Sequence, residues 1–288
     1  MRWERGRRSD NVVDARGGGR RLSGGKGLSL GGIAVVVVIG LLMGQDPLTI
    51  LGSVLNQGLQ QGTPVPEQRA PAANDPQREF VRAVLGDTED TWHSLFQQAG
   101  KSYQEPKLVL FSGGVRSACG FADAAVGPFY CPGDRQVYLD LGFFRELETR
   151  FAAAGDFAQA YVIAHEVGHH VQTLLGVSAR VNAARQRGER VEGDNGLLVR
   201  QELQADCLAG VWAHHAQQRL NWLEPGDLEE ALNAANAIGD DRLQKQSRGT
   251  VMPDSFTHGT SAQRVRWFRN GFDNGEPGRC DTFKAAKL

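Results

Sequence analysis

The stretch DFAQAYVIAHEVGHHVQTLLG, residues 156–176, carries the strongest pattern in this 288-residue chain. Its apolar residues recur at helical spacing behind Asp156, a capping residue type, and so predict one long helix. His165 and His169 lie four residues apart and project from the same helix face. Two imidazoles placed in this way can bind one tetrahedral zinc ion. Glu166 lies beside them, where it can take a proton from a water on that ion.

A catalytic zinc ion needs a third protein ligand and a fourth position open to water. The later segment QELQAD, residues 201–206, offers Glu202 as that ligand. Asp206 follows on the same helix face and can accept a hydrogen bond from a zinc-bound imidazole. The alternative is that His165 and His169 are half-buried helix residues and that the later acidic segment is a solvated face. The pairing of the two motifs favours the zinc site.

From Pro76 onward the pattern predicts an α+β domain, mainly helical, with a small sheet placed before the main helix. Two successive helices are expected near the start, one capped by Asp75 and the next by Asp87. Further helices are expected at about Leu197–Leu220, Pro225–Ala237 and Ser261–Asn270. Strands are expected at Lys107–Ser112 and Gln136–Leu141.

Residues 28–44, LSLGGIAVVVVIGLLMG, contain no charged residue and predict a single transmembrane helix over residues 28–46. The first 30 residues hold eight Arg or Lys against three acidic residues, a net charge of +5. The positive-inside rule therefore predicts a cytoplasmic head at residues 1–27 and an extracytoplasmic domain on the inner membrane. A cleaved signal peptide is the alternative, although no small-x-small site stands out in MGQDPLTIL.

Residues 56–75 are polar and contain Pro, which predicts a linker over residues 47–75 and leaves residues 76–288 as the metal-binding domain. The whole chain has a net charge of −1, so the part after residue 30 carries −6. No long basic run remains there, and we expect no nucleic-acid partner.

Four cysteines in an exported domain indicate disulfides. Cys119 and Cys131 bracket a short irregular loop that can bring its own ends together, so we expect them to pair. A bond between Cys207 and Cys280 follows only by elimination. A cysteine-based zinc site is disfavoured because the chain has no C-x-x-C.

These motifs resemble those of the gluzincin metallopeptidases, and the chain is more closely similar to a bacterial family of neutral zinc metallopeptidases. The similarity runs over nearly the whole length, in the segments MRWERGRRSDNVVDARG, SACGFADAAVGPFYCPGDRQVYLDLGFF, YVIAHEVGHHVQTLLG, RQELQADCLAGVWAHH, DSFTHGTSAQRVRWFRNGF and CDTF. It implies a zincin-like domain with one catalytic zinc. By that resemblance His165, His169 and Glu202 are the ligands, Glu166 is the general base and Asp206 orients a ligand.

A later segment, HGTSAQR at residues 258–264, resembles the His/Arg segment of membrane-bound prenyl-protein endopeptidases and their bacterial heat-shock relatives. In those proteins the two side chains approach the reacting carbonyl, which implies catalytic roles for His258 and Arg264. Gly259 stands where the relatives often have Pro. The alternatives are that His258 is a loop residue before a helix capped by Ser261, and that Arg264 is an ion-pair partner.

The strand at Gln136–Leu141 is the expected edge for pairing with an extended substrate backbone, by the same resemblance, and the alternative is a plain core strand. The function expected is that of a membrane-anchored zinc endopeptidase acting on peptides or unfolded protein. The alternative function is a non-catalytic envelope adaptor domain in which zinc is structural. A closed fourth coordination position would favour the adaptor.

Overall fold

The computed structural model describes residues 1–16, 75–123, 126–150 and 153–288. Within these ranges, the residues up to Ala15 and from Asp75 onward belong to one compact unit. The predicted transmembrane helix at 28–46 and all of the predicted linker except Asp75 lie outside the described residues. Among the helices that are described, none combines the length and the apolar character needed to cross a bilayer.

The unit is mainly helical with a small sheet, as expected for the α+β class. Its helices are α1 (Pro76–Gln98), α2 (Gly142–Thr149), α3 (Asp156–Leu174), α4 (Val177–Gln186), α5 (Leu197–Leu220), α6 (Asp227–Ala237), α7 (Asp240–Arg248) and α8 (Ser261–Asn274). Its strands are β1 (Val12–Asp14), β2 (Lys107–Phe111), β3 (Gly114–Ser117), β4 (Gly120–Asp123), β5 (Phe129–Cys131) and β6 (Gln136–Asp140).

The main sheet has the strand order β1-β2-β6-β5, in which β1, β2 and β6 are parallel and β5 is antiparallel to β6. Strands β3 and β4 form a separate hairpin. Strand β6 therefore has a neighbour on each side, and the prediction that it forms the substrate edge is wrong. The edge on that side of the sheet is β5, a strand within the segment expected to be an irregular loop.

Helix α1 is continuous where the sequence predicted a break at Asp87. The expected capping residue is instead buried inside the helix, where its carboxylate accepts a hydrogen bond from Trp212 Nε1 at 2.8 Å and pairs with Arg219. The adjacent Gly86 is a contact point and not a helix end. A Cβ atom there would lie 2.7 Å from the carbonyl oxygen of Arg7, so only glycine lets the N-terminal segment approach the helix this closely.

The structure also differs from the predicted separate head at residues 1–27. Strand β1 pairs with β2 in the register Val12 to Leu108, and Trp3 packs edge-on against Phe80 of α1 with ring centroids 5.6 Å apart. The first fifteen residues are thus part of the same folded unit as the metal-binding domain. Strand β1 has only three residues, which are too few for an alternation of apolar and polar residues to identify it in the sequence.

Helices α3, α5 and α8 pack closely because glycines lie at their contacts. A Cβ on Gly168 of α3 would lie 3.0 Å from the carbonyl oxygen of Ala205 in α5. On Gly271 of α8 a Cβ would overlap the carbonyl oxygen of Cys207. Both predicted disulfides, Cys119–Cys131 and Cys207–Cys280, are present.

Candidate active site

Helix α3 presents its two motif histidines to a cleft next to β5. His165 is buried, while His169 is partly exposed, and the two Nε2 atoms face each other at 3.2 Å. The helix begins one residue earlier than a cap at Asp156 would imply, since Gly155 occupies the N-cap position and Asp156 is the first helical residue. The i and i+4 spacing delivers both imidazoles to one point, as the sequence predicted.

Helix α5 supplies the third candidate ligand. Glu202 Oε2 lies 3.1 Å from His165 Nε2, and Glu202 Oε1 lies 3.4 Å from His169 Nε2. One donor atom from each of these three residues lies within 4.8 Å of the others. Within the described ranges, no fourth His, Cys, Asp or Glu joins this group.

The spacing of the three donor atoms fits a tetrahedral zinc ion. Zinc binds histidine nitrogen at about 2.0–2.1 Å, and tetrahedral geometry then separates neighbouring donors by roughly 3.3 Å. The two Nε2 atoms are 3.2 Å apart, and each of them has one of the two Glu202 carboxylate oxygens at 3.1 or 3.4 Å, close to that value. Two nitrogen donors and one carboxylate are also a ligand set that zinc accepts in catalytic sites.

The outer nitrogens of both imidazoles are occupied, which leaves the inner nitrogens for a metal. His165 Nδ1 lies 2.8 Å from Asp206 Oδ1, and His169 Nδ1 lies 2.9 Å from Gln172 Oε1. Each Nδ1 donates its hydrogen outward, so each Nε2 can present a lone pair to a cation. The sequence analysis identified Asp206 for this role but missed Gln172, which lies three residues after the ligand on the same helix.

Asp206 is fully buried and is surrounded by hydrogen-bond donors. Besides His165, its carboxylate accepts a hydrogen bond from the Tyr161 hydroxyl at 2.5 Å. It also receives two hydrogen bonds from the Arg264 guanidinium at 2.9 Å each. Burial alone would raise the pKa of Asp206, but the positive charges of Arg264 and His165 outweigh it and lower the pKa to about 2.

The structure favours the second of the two roles considered for Arg264. Its guanidinium lies at the cleft but is buried, and it donates two hydrogen bonds to the Asp206 carboxylate. The alternative stated above, an ion-pair partner, describes it correctly. Arg264 is therefore a positioning residue that acts through Asp206 and His165.

His258 lies at the cleft wall with half of its side chain exposed. Its Nδ1 is 3.3 Å from Asp240 Oδ1 at the start of α7. The other carboxylate oxygen, Oδ2, accepts the backbone N–H groups of Thr257, His258 and Gly259 at 2.7, 2.6 and 3.0 Å. Asp240 thus fixes both the loop and the imidazole, and the sequence analysis missed it because 18 residues separate the pair.

Two physical effects act on the pKa values of this pair. Burial lowers the pKa of His258, but the hydrogen bond to Asp240 and the charge of Glu202 outweigh it and raise the value. Burial opposes ionisation of Asp240, but the hydrogen bonds from His258 and the backbone lower its pKa. The following helix, α8, is capped by Thr260 through a capping box with Gln263, and not by Ser261 as the alternative reading had it.

The cleft has a volume of about 480 Å³, and its lining includes the three candidate ligands, Glu166 and His258. Strand β5 and the residues before it form one wall. Glu166 is 8% exposed and lines the same cleft as the three candidate ligands.

The neighbouring His170 does not join the ligands and instead connects α3 to β5. Its Nε2 donates to the backbone oxygen of Gln104 at 2.6 Å, so its Nδ1 accepts from the Tyr130 hydroxyl at 3.1 Å. Tyr130 belongs to the edge strand and lines the cleft. This link fixes the cleft wall relative to the metal-binding helix, and no sequence motif predicted it.

The remaining histidines lie elsewhere. His214 and His215 bond to the backbone oxygens of Phe272 and Gly275, and His93 bonds to Glu105. These contacts are packing and surface contacts away from the cleft.

The geometry agrees with the comparisons to known proteins. A family model described as "putative neutral zinc metallopeptidase" matches residues 1–283. The uncharacterized protein YpfJ of Escherichia coli K12 is 50% identical over 296 aligned positions, covering 98% of this chain and 99% of that protein. The uncharacterized protein Rv2575 of Mycobacterium tuberculosis H37Rv is 45% identical over 219 positions, covering 73% of each. No solved structure matches the chain. Through the family match over nearly its whole length, the chain belongs to the neutral zinc metallopeptidase family.

Proposed function

We propose that this protein is a zinc-dependent endopeptidase that hydrolyses peptide bonds in peptides or unfolded protein. The observation that carries the proposal is the convergence of His165, His169 and Glu202 at tetrahedral spacing, with Glu166 beside them in an open cleft. A zinc ion bound there would polarise a substrate carbonyl and lower the pKa of a water molecule. In this role the three ligands resemble those of the gluzincin metallopeptidases.

Glu166 is the proposed general base. Its carboxylate takes a proton from the attacking water and returns it to the nitrogen of the leaving amine, so one group serves both steps. Glu166 lies in helix α3 and lines the cleft with the three ligands, but it is not one of the candidate zinc ligands.

His258 is the proposed stabiliser of the negative charge that develops on the carbonyl oxygen. Its Nδ1 faces Asp240, which leaves Nε2 as the nitrogen available to the cleft. Arg264 is too firmly bound to Asp206 to share this role. The catalytic histidine thus comes from the predicted segment, whereas its orienting partner comes from another helix.

The substrate is proposed to bind as an extended chain along β5. Among the residues that the structure describes, this strand has one neighbour in the sheet, to which it is antiparallel, and it lies in the wall of the cleft. Its outer backbone groups can pair with a peptide and so add a further strand to the sheet. Binding through backbone groups selects for unfolded segments and tolerates many side chains.

The adaptor alternative requires a closed metal site, which the described residues do not provide. Cys207 is the neighbour that might have filled the fourth position, and its sulfur is bonded to Cys280. The three side chains therefore leave a position for water, as catalytic zinc sites do. The two disulfides also support the proposal that the domain works outside the cytoplasm, in an oxidising compartment on the membrane.

Cleavage of denatured casein by the full-length protein, purified in detergent and loaded with measured zinc, tests the proposal. We expect Glu166→Gln to abolish cleavage while zinc stays bound. Glu146→Gln is the matched control, because Glu146 is another carboxylate of the same cleft outside the ligand group. Equal loss of activity in both variants would assign the effect to cleft charge. If no protein cleaves although each holds one zinc, the adaptor function replaces the peptidase.

A further inference from the structure

The first fifteen residues are joined to the metal-binding domain by a continuous ladder of backbone hydrogen bonds. The N–H of Leu108 donates to Asn11 oxygen at 2.9 Å, and the N–H of Ala15 donates to Leu110 oxygen at 2.8 Å. Between these bonds, β1 lies parallel to β2 in full register. Removing β1 would expose this side of β2, including side chains that are now buried.

A buried carboxylate in α1 depends on the same segment. Glu89 is 1% exposed, and its donors are Arg7 Nη2 at 2.7 Å, Ser9 Oγ at 2.6 Å and Asn11 Nδ2 at 2.8 Å. An ionised carboxylate without partners is strongly unfavourable in a protein interior. The N-terminal segment is therefore required by the charge balance of the domain.

The N-terminal segment also contacts residues that lie far from the sheet. The N–H of Arg2 donates to the oxygen of Trp222 at 2.9 Å, and a Cβ on Gly6 would lie 2.4 Å from the Trp222 ring. Residues from the start of the chain thus pack against residues from its last third. Such interlocking is typical of one cooperative unit and not of a separate appendage.

The chain leaves and re-enters this unit at neighbouring points. Asp14, at the end of β1, has its Oδ2 atom 3.9 Å from Arg78 Nε in the first turn of α1. Between them in sequence stand residues 17–74, whose charge-free stretch 28–44 has the composition of a membrane-inserting segment. Both flanks of that stretch therefore belong to one folded body.

From these contacts we infer that residues Met1–Asp14 and the domain from Pro76 lie on the same side of the membrane that residues 28–44 contact. A single crossing would place β1 and β2 on opposite sides of the bilayer, although they are adjacent strands of one sheet. The disulfides place the shared side in the oxidising compartment. This inference replaces the single-pass arrangement with a cytoplasmic head that the sequence predicted.

Cysteine labelling of the full-length protein in bacterial cells tests the inference. Asp10→Cys reports on the N-terminal segment, because the Asp10 side chain is 98% exposed. Lys284→Cys reports on the domain, because the Lys284 side chain is 87% exposed. The wild type is the control, since all four native cysteines are in disulfides. The reagent is a membrane-impermeant maleimide, applied to spheroplasts and to inverted membrane vesicles.

We expect both positions to react in spheroplasts and neither to react in sealed inverted vesicles. Labelling of the two positions from opposite sides would overturn the inference. Labelling of both only in inverted vesicles would keep them on one side but refute the oxidising compartment. Recovery of all the protein in the soluble fraction after lysis would refute the membrane contact. Because none of these readouts involves peptide hydrolysis, the result is independent of the proposed activity.

Discussion

Two histidine–aspartate pairs stand at this site, and they differ in almost every physical respect. In the first pair, His165 and Asp206 are 2.8 Å apart, and their side chains are 8% and 0% exposed. In the second pair, His258 and Asp240 are 3.3 Å apart, and the imidazole is 51% exposed. The first carboxylate is held by side chains from two other helices, α3 and α8, whereas the second is held mainly by backbone N–H groups of the loop that carries its histidine.

The environments explain why the same two residue types serve different purposes. A metal ligand must keep one tautomer and one orientation, and a buried, fully bonded carboxylate enforces both. A group that meets a substrate must have one face open to solvent and some freedom to move. Both aspartates are buried, so the contrast indicates that the exposure of the imidazole, and not the pairing itself, separates the pair proposed to orient a metal ligand from the pair proposed to orient a substrate-binding group.

Asp206→Asn should produce the largest change. The amide removes the charge that balances the buried Arg264 guanidinium, so we expect the free energy of unfolding to fall by about 3 kcal/mol or more. We also expect zinc affinity to fall by about 10- to 100-fold, because His165 loses its orienting acceptor. Denaturant unfolding and zinc titration measure the two effects. Asp240→Asn is the comparison, and equal destabilisation by both variants would remove the distinction between the pairs.

His258→Gln should lower kcat without loss of zinc. Removal of one donor to a developing oxyanion costs about 10²- to 10³-fold in kcat in well-studied enzymes. The side chain is half exposed and lies outside the ligand group, so folding and metal content should stay near those of the wild type. Steady-state kinetics on a peptide substrate, with metal analysis of the same samples, provide the measurement. An unchanged kcat would show that this histidine does not contact the transition state.

Asp240→Asn should shift the pH dependence of kcat. The protonated imidazole of His258 is the form that stabilises an oxyanion, so activity declines as pH rises through the pKa of His258. Asp240 raises that pKa, and its replacement lets the value fall. The alkaline decline should therefore move to lower pH in the variant, while the pH profile of Glu146→Gln stays in place. A shift to higher pH, or none, would contradict the pairing.

Zinc binding to the metal-free protein should release protons in the neutral pH range. Burial lowers the pKa of His165, but the charge and hydrogen bond of Asp206 and the hydrogen bond of Glu202 raise it to about 10. The imidazole is therefore protonated at pH 7 and must lose that proton to bind a metal. Zinc affinity should accordingly increase with pH up to that value. Calorimetry in two buffers with different ionisation enthalpies counts the protons, and equal heats in both buffers would refute the prediction.

The local parts of the fold could be predicted from the sequence. The helix with His165 and the later helix with Glu202 were expected at nearly the bounds observed, because periodicity and spacing are local properties. The same spacing told which side chains share a face, and hence that the two motifs could meet. Strands β2 and β6 were also found by their apolar runs.

The parts that depend on distant residues could not be predicted. Gly86 and Asp87 resemble a helix end, but the glycine accommodates the N-terminal segment and the aspartate binds Trp212 across the core. Asp240 gives no local sign that it will reach His258. The edge strand β5 could not be predicted because it has only three residues, and its place in the sheet depends on its pairing with β6.

Gly168, the fourth residue of the zinc motif, has a consequence for efforts to transplant this site. Zinc chemistry assigns no task to that position, yet a methyl group there would lie 3.0 Å from the backbone of α5. The glycine thereby sets the distance between the two helices, and with it the reach of Glu202 toward the imidazoles. A designer who copied only the ligating and catalytic side chains onto another helical scaffold would obtain the right chemical groups at the wrong separation. The transferable unit is the pair of helices together with the glycine at their crossing.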